Sequence, residues 1–483
     1  MPDYDLILRG GTVVTSTGLK EVDVAVTDEK IVALALQLPG TASEEIIATG
    51  LHIFPGVIDA HVHFNEPGRT DWEGIETGSR ALAAGGGTMF FDMPLNAHPP
   101  TLDAESFRLK RAAAEKSSLT DFAFWGGLVP ENVNRLEELA ACGVIGFKAF
   151  MSDSGIEDFS RADDATLREG MKRAAMLNLP VAVHAESETM TNALAQERIA
   201  AHKTSIRDYL DSRPIAAELE AIRRAVDLAG ETGCALHVVH VSSSAGIQLI
   251  SEAKQRGVNV SAETCPHYLT LTEDDLEQLG AVAKCAPPLR SAGERNKLWA
   301  RVLAGEVDTI GSDHSPSPPG LKADANFFKV WGGISGAQHT LPLLLTKLVG
   351  QAPPPVSSPA SAPACRTPGG GAWWTKTGEG ASPTTDALAR ISSLLSRNVA
   401  ARFALPQTKG GIKIGCDADF ALVDLSSEFE VKLEELFYRH RQTPYAGRKL
   451  RGRIVRTLLR GQTIFRDGKI VATPAGRLIK PRP

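Results

Sequence analysis

The chain has 483 residues, 43% of them hydrophobic and 23% charged, with a formal net charge of -5. That balance excludes a disordered or collagenous chain and leaves no cationic footprint for nucleic acid or an anionic membrane. No apolar run approaches the ~20 residues of a membrane span. Met1-Pro2-Asp3-Tyr4-Asp5-Leu6-Ile7-Leu8 lacks the basic-then-apolar pattern of a secretory signal. The six cysteines (Cys142, Cys234, Cys265, Cys285, Cys365 and Cys416) show no paired spacing, which suits a reducing cytosol. A cytoplasmic location follows as the expectation. Single cores stop growing near ~250–300 residues, so one large domain and a smaller one are expected.

Residues 4 to about 50 read as short strands and turns. Asp5–Val14 looks like two strands around Gly10-Gly11, and Val22–Val26 places valine at every second position. From 53 to about 315 the rhythm changes. Short β-type runs recur at Ile53–His63, Thr88–Met93, Phe122–Gly127, Val144–Met151, Val181–Glu186, Leu236–Ser242, Val258–Thr264 and Thr309–Asp313. Helical stretches between them include 102–116, 164–177, 215–232, 244–256 and 293–304. Eight strands over about 250 residues predict an α/β fold, a (β/α)8 TIM-like barrel whose active face is the C-terminal strand ends. Residues 347–385, rich in Pro, Ser and Gly, read as a flexible insertion or a replaced segment that Trp373-Trp374 would pin. Helical patterning resumes at 386–404, and Phe420–Asp424 and Ile454–Leu459 read as strands. The expected organisation is therefore 1–52 and 405–483 in a small β-sandwich domain built from both termini, and 53–404 in the barrel.

The strand ends carry the chemistry. His61 and His63 stand two apart at the end of the first apolar run, so an extended strand turns both to one face. Two imidazoles so placed make half of a metal site. Strand four ends in Gly146-Phe147-Lys148-Ala149-Phe150-Met151, and a lysine among such neighbours tends to lose its proton. Strand five ends in Val183-His184-Ala185-Glu186. Strand six ends in His237-Val238-Val239-His240-Val241-Ser242; His240 is the nearer to the end, and by parity His237 faces the other side. Strand eight ends in Gly311-Ser312-Asp313-His314-Ser315. Each residue alone suits a hydrogen-bonded structural role. Six on one rim point to a catalytic metal centre.

These residues resemble the amidohydrolase superfamily, in its cyclic-amidase branch of dihydroorotases, hydantoinases and allantoinases. Gly415-Cys416-Asp417-Ala418-Asp419-Phe420 is similar to the closing sheet motif of that family. The resemblance implies two divalent metal ions, Zn foremost with Co, Mn or Fe as alternatives. By it His61, His63 and Asp313 hold one, His184 and His240 hold the other, and a CO2-carboxylated Lys148 bridges them. Asp313 would also move the proton. Dihydroorotases carry an arginine for the substrate carboxylate two residues after the second histidine; here that position is Asn65. Phe64–Gly74, Asp92-Met93-Pro94-Leu95-Asn96, Lys284-Cys285-Ala286-Pro287-Pro288-Leu289-Arg290 and Ser312–Pro316 look most like allantoinases. The implied activity is opening of the hydantoin ring of allantoin. Asn96, Cys285 and Ser315 are expected to contact substrate, and Gly332-Gly333-Ile334-Ser335-Gly336 to let backbone approach the ring. A homotetramer is implied, with neither nucleic acid nor membrane as partner. Other branch activities (hydantoinase, dihydropyrimidinase, dihydroorotase) and a non-catalytic hydantoinase-like assembly protein are the alternatives.

Overall fold

In the computed structural model, residues 2–349 and 383–482 are described. Residues 350–382, most of the Pro/Ser/Gly-rich stretch together with Cys365 and Trp373-Trp374, lie outside them. Its flanks are helical, in Thr340–Val349 and Pro383–Ser392.

The alternating valines and leucines of the chain's start form a four-stranded sheet in the order Lys30–Ala35, Asp23–Thr27, Tyr4–Arg9, Ala42–Ile47. A seven-stranded sheet draws on both ends of the chain. In it Phe420–Glu430 pairs antiparallel with His52–Pro55, Leu422 opposite Ile53. Leu6, Leu8, Val24 and Val26 of the first sheet share one core with Val13, Ile53, Phe420 and Leu422 of the second. Two sheets burying one apolar face against each other is a sandwich arrangement.

The run expected as one strand, Ile53–His63, is two strands of different sheets. His52–Pro55 belongs to the sandwich, and β1, Val57–Val62, opens the barrel. Gly56 makes the break possible: a Cβ there would lie 2.1 Å from Thr88 Oγ1. The barrel continues with β2 (Gly87–Asp92), β3 (Asp121–Phe124, resuming at Gly126–Gly127), β4 (Phe147–Phe150), β5 (Val181–His184), β6 (Leu236–Val238), β7 (Val260–Thr264) and β8 (Thr309–Ile310). Every neighbouring pair from β1 to β8 is parallel. Beyond β8, a parallel bridge joins Val62 to His314, and His63 N–H donates to the His314 carbonyl at 2.8 Å. Helices cover the outside. Those starting at Ala104, Asp164, Ser244 and Ala292 are capped by Asp103, Asp163, Ser243 and Ser291, whose side chains accept a backbone N–H of the first turn. Ile58, Ala60, Met89, Phe91, Ala123, Trp125 and Ala182 pack with Val399 and Phe403 in a separate interior cluster.

A buried ionic knot ties the barrel floor to the sandwich. Lys409 Nζ lies 2.7, 2.9 and 2.7 Å from carboxylate oxygens of Asp121, Asp417 and Asp419. Burial disfavours its charge, but the three carboxylates win and raise its pKa. Lys409→Met would leave crowded carboxylates without their central cation. It is expected to cost about 3–5 kcal/mol, read as a lower urea midpoint at unchanged slope.

Candidate metal centre

The six strand-end residues converge. His61, His63 and Asp313 offer ligand atoms all within 4.8 Å of one another. His61 Nε2 is 3.2 Å and His63 Nε2 3.4 Å from Asp313 Oδ1. Across the mouth, His184 Nδ1 faces His240 Nε2 at 3.0 Å. The His61 and His240 rings, 5.4 Å apart, join the two groups. Irregular backbone makes this meeting possible. β6 stops at Val238, and His240 sits in the left-handed region at φ 41°. Asp313, Asn65 and Asn96 also have positive φ, at 47°, 63° and 68°. Strained non-glycine backbone of this kind is held where the surroundings demand it.

For the same reason His237 does not turn away from the site as strand parity predicts. Parity holds only within a regular strand, and the turn at His240 restores that ring to the site without excluding His237. His237 lies with Nε2 3.5 Å from Glu263 Oε2 and Nδ1 2.7 Å from Ser261 Oγ. It therefore supports the centre from one layer away.

Two carboxylates absent from the expected site fix the histidine tautomers. Glu263 on β7 takes His61 Nδ1 at 2.7 Å, which leaves Nε2 for a ligand role. Glu186, just after β5, takes His184 Nε2 at 2.8 Å, which leaves Nδ1. The two histidines thus present opposite nitrogens. Burial would raise both acids. For Glu263 the neighbouring His61 and His237 outweigh it, and for Glu186 Arg213 and His184 do so; both carboxyls are held at about 2. Asn96 is 3.3 Å from His63 Nδ1. The atom that faces it is the amide nitrogen Nδ2, which donates to Nδ1.

Lys148 is fully buried, and its Nζ has no hydrogen-bond partner. Burial pushes its pKa down to about 7 against the opposing pull of Asp313, Glu263 and Cys265. Burial holds His184 and His240 below the usual imidazole range, and the Lys148 charge adds to this. Asp313 is held ionised well below the carboxylate range: burial opposes this, and His61 and His63 outweigh it. An orphaned buried amine beside clustered nitrogen and oxygen donors fits a divalent metal centre far better than a closed structural network.

The remaining expected contacts are partly engaged within the protein. The Cys285 carbonyl accepts from Tyr209 Oη at 2.9 Å, and burial pushes the Cys285 thiol up to about 12. Ser315 N–H donates to the Ile334 carbonyl at 2.9 Å. Gly333 does make a close approach, but to Ser315: a Cβ would fall 2.0 Å from the Ser315 oxygen. Asn65 Nδ2 donates to the Pro316 carbonyl at 3.3 Å. Arg69 donates to the carbonyls of Asn96 and Ala97, both at 3.2 Å, and lies 3.7 Å from Asp158. Neither residue leaves a guanidinium fork for a ring carboxylate.

Residues 52–350 match the amidohydrolase family. An allantoinase from Rubrobacter xylanophilus is 53% identical over 482 residues, 100% of this chain and 99% of that one. The chain belongs to the amidohydrolase family, with the allantoinases. A second allantoinase, from Solibacter usitatus, is 51% identical over 99% of this chain and 97% of its own. Among solved structures, the L-hydantoinase (dihydropyrimidinase) of Arthrobacter aurescens superposes with a TM-score of 0.89 at 31% identity, covering 99% of this chain and 100% of that one. The dihydropyrimidinase of Brevibacillus agri gives 0.85 at 29%, covering 99% of both. The amidohydrolase match and these neighbours bear out the (β/α)8 barrel with its β-rich companion. Among the described residues no helix is long and apolar enough to cross a membrane, and five cysteines are free.

Proposed function

We propose that this chain hydrolyses the hydantoin ring amide of allantoin, giving allantoate. The observation that carries the reading is the buried, unpartnered Lys148 amine, which feels Asp313 of one group and is felt by His184 and His240 of the other, in a chain half-identical to allantoinases over its whole length. His61, His63 and Asp313 would hold one divalent metal and His184 and His240 a second, Zn foremost with Co, Mn or Fe as alternatives. A carboxylated Lys148 would bridge them. Such ions, when bound, polarise a carbonyl and bring the pKa of water near 7.

The chain's own residues do the rest. A neutral Lys148 amine adds to CO2 and loses one proton, which turns a would-be cation into an anion suited to metal. Ionised Asp313 accepts the proton of the attacking water. The water oxygen bonds to the ring carbonyl carbon, the C–N bond breaks, and Asp313 returns the proton to the leaving nitrogen. Backbone groups of 284–290 and 315, with Asn96, would orient the ring. The same reading takes 53–404 as the catalytic barrel domain, 1–52 and 405–483 as the companion, and a cytoplasmic homotetramer as the working form. Sedimentation velocity would check the last.

Activation has a pH signature. Below about 7 the Lys148 amine is protonated and cannot add to CO2; above it the free amine is available. Metal-free protein given Zn at a fixed concentration of dissolved CO2 is expected to gain allantoin-opening activity faster as pH rises through about 7, with a plateau beyond. A rate of activation that does not change with pH or with bicarbonate would contradict the carboxylation step.

A further inference from the structure

Arg213 and Tyr209 link the metal side of the site to its substrate wall. The helix Ile206–Asp211 carries Tyr209, and Arg213 follows two residues after its end. The Arg213 guanidinium is ion-paired with Glu186, the acid that holds His184. It also lies 5.6 Å from the centre of the Tyr209 ring. Tyr209 Oη donates to the Cys285 carbonyl at 2.9 Å, and the Arg213 carbonyl accepts from Arg290 Nη1 at 2.5 Å. Residues 285 and 290 stand at the two ends of the segment 285–290. Arg290 Nε continues to Ser242 Oγ at 2.9 Å, just beyond His240. One short piece of chain therefore grips a histidine support on one side and both ends of a loop on the other.

We propose that Arg213 and Tyr209 are positioning residues that couple the orientation of His184 to the placement of the 285–290 wall. This rests on the reading of His184 as a metal ligand and of that wall as facing the substrate. The coupling predicts three separable outcomes. Glu186→Gln removes the anion that His184 and Arg213 share. It weakens binding of one Zn equivalent roughly 10–100-fold and raises KM at saturating Zn less than Tyr209→Phe does, because Tyr209 still holds the Cys285 carbonyl. Tyr209→Phe frees the Cys285 carbonyl only. It raises KM about five-fold, the value of one neutral hydrogen bond, and leaves Zn binding unchanged. Arg213→Met does both, and Arg213→Lys, which keeps a cation beside Glu186, regains part of the Zn affinity.

The experiment is Zn calorimetry on metal-free protein alongside steady-state kinetics at saturating Zn. A rise in KM for Arg213→Met together with lost Zn affinity supports the coupling. A normal KM for Arg213→Met or for Tyr209→Phe at saturating Zn overturns it. The Zn arm needs no substrate. If the wild-type chain opened a different cyclic amide, that amide would serve the KM arm, so a wrong substrate assignment shows in the wild type alone.

Discussion

Lys148→Met is expected to abolish ring opening and to lower the bound metal, while the fold survives. Methionine fills the space of the buried side chain without its nitrogen, so no carbamate can form. A metal's Lewis-acid role is worth several kcal/mol of transition-state charge. Loss of about 4 kcal/mol corresponds to ~10³ in rate, and kcat/KM is expected to fall by at least that much. The stability effect runs the other way. The folded state holds Lys148 depressed to about 7, whereas the unfolded chain binds that proton up to the ordinary lysine range. Between those values the unfolded state carries more protons, so the wild-type metal-free protein gains stability as pH rises. The variant lacks the group and its metal-free form is expected to melt no lower than wild type at pH 7. Inactive protein that melts normally and has lost metal identifies Lys148 as part of the centre. Full activity in the variant would remove it.

Asp313→Asn is the second large effect. The amide keeps the shape but cannot accept and return a proton, and it weakens the hold on His61 and His63, 3.2 and 3.4 Å away. General acid–base contributions run to ~10²–10⁴-fold, and a loss of kcat in that range is expected. On the proposed reading the ring rests on the 285–290 wall, away from the carboxylate, so KM is expected to change far less. A variant with normal kcat and a raised KM would assign Asp313 to substrate binding.

How much of this was legible in the sequence depended on how each residue reveals itself. His61, His63, Lys148 and Asp313 stand out because ionisable groups are rare at the ends of apolar strands. Glu263 and Glu186 were equally visible as letters, but their partners define them. Glu263 meets His61 across 202 residues of chain, and no local spacing encodes that. Arg213 lies outside any strand and reaches the site only because the segment after β5 folds back over the rim. The error over His237 and His240 came from extending strand parity beyond Val238, where the backbone had already turned. The division at Gly56 was hidden because both halves of Ile53–His63 are apolar, one facing the sandwich and the other the barrel. The seven-stranded sheet was foreseeable in outline only, since the pairing of Leu422 with Ile53 is a tertiary choice between two plausible edges.

Purified chain loaded with Zn in bicarbonate should be assayed side by side on allantoin, hydantoin, dihydrouracil and dihydroorotate. Asn65 and Arg69 leave no free guanidinium for a ring carboxylate, so dihydroorotate is expected to be the poorest of the four. The highest kcat/KM is expected for allantoin, by a wide margin. Silence on allantoin with turnover of dihydrouracil or dihydroorotate would contradict it.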